Sequence, residues 1–150
     1  MNQIDSVLIV LKELQNKDGI LQNTLFSILE DRPAQGVDWS KAYDFSEKLG
    51  LVIEKKDNVF ISDLGKNILN ITTGEKNKKM LSDYIFKDCI YGKSEFIKIK
   101  HFLERFHEYE NKLILEDENV DRSDNEKIIL LKELEIISFD KVWIIRDDIK

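Results

Sequence analysis

Two residues in the second half of the chain have a spacing that metal centres use. Glu104 and His107 form a Glu-x-x-His pair, which in carboxylate-bridged di-iron bundles places both ligands on one face of a helix. That chemistry needs a second copy of the pair and two further glutamates on other helices. The sequence has one copy, and the other histidine, His101, lies six residues away on a different helix face. We therefore predict packed or surface histidines and no metal site.

Other residue types suited to catalysis are isolated as well. The single cysteine, Cys89, lies on an apolar helical stripe, where a free thiol behaves as a small hydrophobe. Asp38 with the Glu-Lys-Lys segment 54–56 faintly resembles the acidic pair and lysine of metal-dependent nucleases, but charged residues of a hairpin explain these positions without catalysis. There is no glycine-rich phosphate loop and no Ser/His/Asp arrangement. We predict a protein without enzymatic activity and without a cofactor.

Lysines are concentrated in one stretch of the chain and acids in the next. Residues 76–100 contain seven lysines and three acids, whereas residues 104–126 contain nine acids and three bases. The basic stretch is suited to phosphate contact, and Lys76, Lys78 and Lys79 are its first candidates. Its lysines could equally be the polar faces of two amphipathic helices. The acidic residues 116–121 are interpreted as a solvated loop or as a surface for a basic partner.

Composition limits the class of protein. The 150 residues carry 23 Lys and Arg against 29 Asp and Glu, a net charge of −6, which argues against nucleic-acid binding over the whole surface. The longest apolar run, residues 7–11, is far below the roughly 20 residues of a membrane helix. One cysteine cannot form an intramolecular disulfide, and no basic-then-apolar leader follows Met1. We expect a soluble, cytoplasmic protein without membrane contact.

Hydrophobic periodicity predicts three helices at the start of the chain. Apolar residues recur at three- and four-residue spacing from Ile4 to Leu14, and a second stripe ends before Pro33. Asp38 is suited to cap a third helix, and Gly50 stands where a left-handed residue would end it.

The hydrophobic period changes after the third helix. Residues 51–54 and 58–61 are two short β-type runs joined by Lys55-Lys56-Asp57, which predicts a hairpin. Ser62 or Asp63 can cap a further short helix. Thr72-Thr73-Gly74 breaks the pattern and is the predicted domain boundary.

This order of elements resembles that of the winged-helix family. The resemblance is carried by residues 45–52, Phe-Ser-Glu-Lys-Leu-Gly-Leu-Val, and by residues 61–66, Ile-Ser-Asp-Leu-Gly-Lys. Family members typically have a helix that ends in Leu-Gly-Leu-Val and a Thr-x-x-Gly-Lys segment after the second wing strand, and Ser62 stands where that threonine would be. The resemblance covers about half of the chain and implies a winged-helix domain over residues 1–73.

The second half contains a weaker copy of the same pattern. Residues 132–137 and 141–144 compare with residues 47–52 and 58–61, although Glu135 replaces the glycine. Ser123 or Asp124 could cap the helix that precedes this copy. The predicted fold is mainly α with short β-hairpins (α+β). It is either a tandem winged-helix, with the second copy over residues 74–150, or one winged helix plus a helical domain.

The third helix decides between DNA and protein as the partner. In winged-helix DNA binders this helix enters the major groove, and here Lys41, with Lys55 and Lys56 at the hairpin tip, could contact DNA. Asp44 and Glu47 on the same helix repel phosphate, and each half of the chain has a net charge of −3. Asp44 and Glu47, with Trp143 on a second wing, are therefore the candidate protein contacts.

Two functions follow from the resemblance. Tandem winged-helix accessory subunits of ATPase coiled-coil chromosome-maintenance complexes are small, often acidic, and hold protein partners, which implies an interaction or architectural subunit of a multiprotein, DNA-associated complex of bacterial type with a larger protein partner. The alternative is a winged-helix DNA-binding transcriptional regulator that binds duplex DNA as a homodimer through its second half. We favour the first function.

Overall fold

A computed structural model describes residues 2–32, 36–70, 74–105, 122–140 and 142–145. Within these ranges, the backbone alone is described at residues 74, 75, 122, 123, 125, 138–140 and 142–145. The chain divides into two compact units, Met1–Ser82 and Asp83–Lys150. The division falls inside a helix that follows the predicted boundary, and Thr73 lies outside the described residues, so that boundary stays a prediction. The described part is mainly helical with small antiparallel sheets, which agrees with the α+β class.

The first unit begins with an amphipathic helix. α1 spans Gln3–Leu14 and buries one apolar stripe along its length. The side chain of Asn2 accepts a hydrogen bond from the backbone N–H of Asp5 at 2.8 Å and so caps the helix. Helix α2 spans Gln22–Glu30 and ends before Pro33, as the sequence predicts.

Helix α3 spans Trp39–Lys48 and packs on α1. The predicted cap is confirmed, because the side chain of Asp38 accepts from the backbone N–H of Lys41 at 3.1 Å. The helix ends in a Schellman motif: Gly50, with φ +77°, donates to the carbonyl of Glu47, and Leu51 donates to the carbonyl of Ser46 at 3.0 Å.

A three-stranded antiparallel sheet follows, in the order β1-β3-β2. β1 (Ile20–Leu21) was not predicted, because two residues are too few to show a period. β2 (Val52–Lys55) and β3 (Asn58–Ile61) form the predicted hairpin. Its turn is Lys56-Asp57 alone, with φ +50° and +69°, whereas Lys55 belongs to β2 and pairs with Asn58. Two positive φ values indicate a type I′ turn.

Helix α4 spans Asp63–Leu69. The hydroxyl of Ser62, the residue before it, hydrogen-bonds both to α4 and to the segment that follows α3. The Ser62 Oγ atom donates to the carbonyl of Gly50 at 2.8 Å and accepts from the N–H of Gly65 at 3.1 Å. Gly65 is buried, and a Cβ atom there would lie 2.8 Å from the carbonyl oxygen of Leu51. The positions Ser62 and Gly65 are thus set by contacts with the chain segment that leaves α3.

Helix α5 (Gly74–Tyr84) continues into a π-helical segment, Ile85–Ile90, whose Ile85, Cys89 and Ile90 are buried. In the second unit, a 3₁₀ turn (Ser94–Phe96) leads into α6 (Ile97–Glu104). Helix α7 spans Arg122–Glu133, so the cap predicted at Ser123 or Asp124 is wrong: both residues lie inside its first turn.

The last described elements of the second unit are β4 (Ile137–Asp140) and β5 (Val142–Ile145), which form an antiparallel hairpin. The segment between α7 and β4 repeats the hydrogen bonds that end α3. Glu135 donates to the carbonyl of Lys132 at 3.0 Å, and Ile136 donates to the carbonyl of Leu131 at 2.9 Å. Glu135 has φ +59°, so a glutamate occupies the left-handed position that glycine usually takes.

Among the residues that the structure describes, no helix combines the length and the apolar character needed to cross a bilayer.

Candidate interaction surface

The surface of α3 is set by the residues that attach it to the rest of the unit. Trp39, Ala42, Tyr43 and Ser46 are buried. The Ser46 hydroxyl donates to the carbonyl of Ala42 at 2.8 Å, so this buried polar atom is satisfied within the helix. The opposite side of α3 is therefore left to the exposed charged residues.

Tyr43 connects α3 to the hairpin. Its ring is buried and makes an edge-to-face contact with Phe26 at 5.5 Å between centroids. Its hydroxyl donates to the Glu54 carboxylate at 3.1 Å. Burial raises the pKa of Tyr43 well above its ordinary value, and the carboxylates of Glu54 and Glu47 raise it further. The hydroxyl thus lies in a region of negative potential.

Three exposed carboxylates form a row across α3 and β2. Asp44 and Glu47 are three residues apart and share a helix face. Glu47 and Glu54 both act on the Tyr43 hydroxyl, which places them on the side of α3 that meets the hairpin. We call Asp44, Glu47 and Glu54 the acidic row. The structure brings the predicted protein contacts Asp44 and Glu47 together and adds Glu54.

The predicted DNA contacts of the first unit are exposed and lie close in sequence to the acidic row. Lys41 is in the first turn of α3, beside its cap Asp38. Lys55 ends β2 and Lys56 is in the turn. All three lysines are exposed, and Lys41 is three residues from Asp44, so these two side chains share a face of α3.

The three lysines of α5 do not share one face. Lys76 and Lys79 are three residues apart and neighbour each other, whereas Lys78 points elsewhere. The Lys78 Nζ atom forms an ion pair with Asp5 at 2.7 Å. This pair attaches α5 to α1 and gives Lys78 a role within the first unit.

The outer face of the hairpin sheet carries exposed apolar side chains. Ile53 is directly opposite Phe60 in the register, and Leu21 is opposite Asn58, one diagonal step from Phe60. Leu21 is 54% exposed and Ile53 is 43% exposed. We call Leu21, Phe60 and Ile53 the apolar row. The apolar row could not be recognised from the sequence, because it forms only when β1 pairs with β3.

A cleft in the second unit is lined mainly by basic side chains, of which Lys98 belongs to the predicted basic stretch 76–100, whereas Arg105 and Lys127 lie outside it. Lys98, His101, Glu104 and Arg105 contribute from α6 or its end, and Lys127 contributes from α7. Lys98, His101 and Arg105 follow the spacing i, i+3 and i+7, which was visible in the sequence. Their meeting with Lys127 depends on the packing of α6 against α7, which sequence periodicity does not give.

Two residues singled out in the sequence, Trp143 and His107, have side chains that the structure does not describe. Trp143 lies in β5 opposite Phe139, but its side chain is outside the described part of the chain. His107 is also outside the described residues.

Cys89 is buried, and burial raises the pKa of its thiol while a hydrogen bond with Tyr84 opposes that change. In the described ranges, no group of three or more His, Cys, Asp and Glu side chains is arranged to hold a metal ion.

The chain matches no protein-family model, no curated protein and no solved structure.

Proposed function

We propose that this protein is a non-enzymatic, cytoplasmic winged-helix subunit of a multiprotein, DNA-associated assembly, and that it holds a larger protein partner through the acidic row. The observation that carries the proposal is the exposure of Asp44 and Glu47 on α3, with Glu54 beside Glu47 on the hairpin, since carboxylates on the helix that would read DNA oppose contact with phosphate.

The winged-helix assignment is supported by the order of elements in the first unit. The chain order in this unit is α1-β1-α2-α3-β2-β3-α4, and the sheet is ordered β1-β3-β2. Gly50 at the end of α3 and the buried Gly65 after the hairpin are at the two places where the family pattern has glycine. A second copy is supported by the matching hydrogen bonds at the end of α7 and by the β4-β5 hairpin that follows.

Electrostatics favour protein over DNA at α3. Two unit charges 4 Å apart interact by about 1 kcal/mol in water and by more near a protein surface. Each carboxylate of the acidic row that meets a phosphate therefore opposes binding by an energy of that order. With a basic patch on a protein partner, the same carboxylates give attractive instead of repulsive interaction energies.

The exposed side chains of the apolar row can be buried in an interface with a protein partner. Apolar side chains that are about half exposed lose solvent on protein association, at roughly 25 cal/mol for each Å². The phosphodiester backbone offers no equivalent surface. Leu21 and Ile53 therefore support a protein contact on the hairpin sheet as well.

The second candidate is a dimeric DNA-binding regulator. It is favoured by the exposure of Lys41, Lys55 and Lys56, which lie on the helix and hairpin that approach DNA in such proteins. This function requires duplex binding that weakens with salt and is lost when these three lysines are reversed to glutamate.

A charge-reversal experiment separates the two functions. The tagged full chain, the variant Asp44→Lys/Glu47→Lys and the control Asp18→Lys/Glu30→Lys are purified from native cells, and bound proteins are identified by mass spectrometry. The control changes two exposed acids of the same unit by the same charge. We expect one larger protein to bind the wild type and the control but not the variant. Equal recovery with all three chains would refute the role of the acidic row.

A further inference from the structure

We infer that the cleft between α6 and α7 binds the phosphodiester backbone of duplex DNA. The cleft belongs to the second unit and contains none of the residues assigned to the protein partner. The inference rests on the proposed function in one respect: it names the part of the chain that would touch DNA within a DNA-associated assembly.

The α6 wall of the cleft is a line of basic side chains. Lys98, His101 and Arg105 are exposed and lie on one side of the helix. At a rise of 1.5 Å per residue, the line from Lys98 to Arg105 is about 10 Å long. One strand of duplex DNA carries a phosphate for about every 3.4 Å of its axis. Because the strand also winds around that axis, successive phosphates lie farther apart than this rise, and a line of this length can meet about two of them.

The α7 wall contributes a cation that is held in place. The Lys127 Nζ atom lies 5.8 Å from the centre of the Phe102 ring and 3.4 Å from the Asp124 carboxylate. The side chains of Lys127 and Asp124 are only 16% and 14% exposed. Because Lys127 is already ordered by these contacts, a ligand loses less side-chain entropy in binding it than in binding a mobile surface lysine.

The charges that line the cleft favour a dense, regular polyanion. The three permanent cations outnumber the two carboxylates beside them, Glu104 in the lining and Asp124, which pairs with Lys127. Arg105 offers a planar fork that fits phosphate oxygens. Neutralising several phosphates along a backbone releases condensed counterions, a gain that an acidic patch of a folded protein provides to a smaller extent. The whole chain is acidic, with a net charge of −6, so duplex DNA is expected to approach it at a local basic site such as this one.

The test measures how salt changes the affinity for DNA. Fluorescence anisotropy with a labelled duplex of about 20 base pairs is recorded between about 50 and 200 mM salt. The full chain is compared with Lys98→Ala/Arg105→Ala and with the control Lys87→Ala/Lys132→Ala, which removes two exposed lysines of the same unit. Loss of two phosphate contacts should reduce the slope of log K against log salt by about 1.8. The control should keep the wild-type slope, and Arg105→Lys, which keeps the charge, should keep it too.

Three results would overturn the inference. These are no duplex binding at the lowest salt, the same loss of affinity in Lys98→Ala/Arg105→Ala and in the control, and binding of labelled poly-glutamate as tight as that of the duplex. The last result would make the cleft an acidic-peptide site. If the DNA-binding test contradicts the role of this cleft, the proposed capture of a protein partner is unaffected. The role of the acidic row is tested separately, by comparing protein recovery between wild type and Asp44→Lys/Glu47→Lys.

Discussion

Gly50 and Glu135 occupy the same position in two copies of one helix-ending motif. Each is followed by a residue that donates to the carbonyl five positions back, Leu51 to Ser46 at 3.0 Å and Ile136 to Leu131 at 2.9 Å. Their φ values are +77° and +59°. The left-handed conformation is unstrained for glycine and costs other residues roughly 1–2 kcal/mol. The geometry of the motif is thus the same in both units, although the residue type is not.

This relationship predicts opposite effects of exchanging the residue types. Glu135→Gly should raise the free energy of unfolding of the second unit by about 1 kcal/mol, because strain is removed at an exposed position. Gly50→Ala should lower the stability of the first unit by a similar amount. Urea unfolding of the full chain, followed by near- and far-ultraviolet circular dichroism, measures both changes. A destabilising Glu135→Gly variant would mean that the side chain of Glu135 contributes more than its backbone costs.

Gly65 tests how tightly α4 is packed against the end of α3. In Gly65→Ala the new Cβ atom would meet the Leu51 carbonyl oxygen and the Ile61 Cγ1 atom, each at 2.8 Å. Because backbone cannot move aside easily, we expect a loss of about 1–3 kcal/mol in thermal or urea unfolding. Asn67→Ala, at an exposed position of the same helix, is the control and should change stability by less than about 0.5 kcal/mol.

The hydroxyl of Tyr43 predicts a loss of stability in alkali. Burial, with Glu54 and Glu47, raises the pKa of Tyr43 above its ordinary value of 10.0. Above that pH the unfolded chain releases the proton while the folded chain retains it, so stability falls as the pH rises. Tyr43→Phe should flatten this fall between about pH 9 and 11, as measured by urea unfolding at each pH. In Glu54→Gln burial still acts, so this variant should flatten it only in part. Equal slopes in all three chains would contradict the assignment.

The sequence predicted those features that depend on local chemistry. The Asp38 cap, the end of α2 before Pro33 and the hairpin after Gly50 depend on residues within a few positions of one another, and each was found. β1 was missed because it exists only through pairing with β3. The left-handed conformation of Glu135 could not be predicted from its residue type, because glutamate rarely adopts a positive φ.

The candidate sites likewise contain some residues that local sequence spacing predicts and others that depend on tertiary contacts. Asp44 and Glu47 were selected from the sequence because helical spacing places them on one face. Glu54, the apolar row and the cleft between α6 and α7 required the register of the sheet or the packing of two helices. Lys78 was selected as a phosphate contact, and its ion pair with Asp5 could not be predicted because these residues are far apart in the sequence.

The central claim is that the acidic row meets protein rather than DNA, and a photo-cross-link from a position within the row tests it most directly. The full chain is produced in its native cells with p-benzoylphenylalanine in place of Asp44, and in a control in place of Asp18; both positions are exposed. After irradiation, our account predicts that the Asp44 position forms a nuclease-resistant adduct with a larger polypeptide, and that the Asp18 position does not. A nuclease-sensitive adduct with DNA at Asp44 would contradict it.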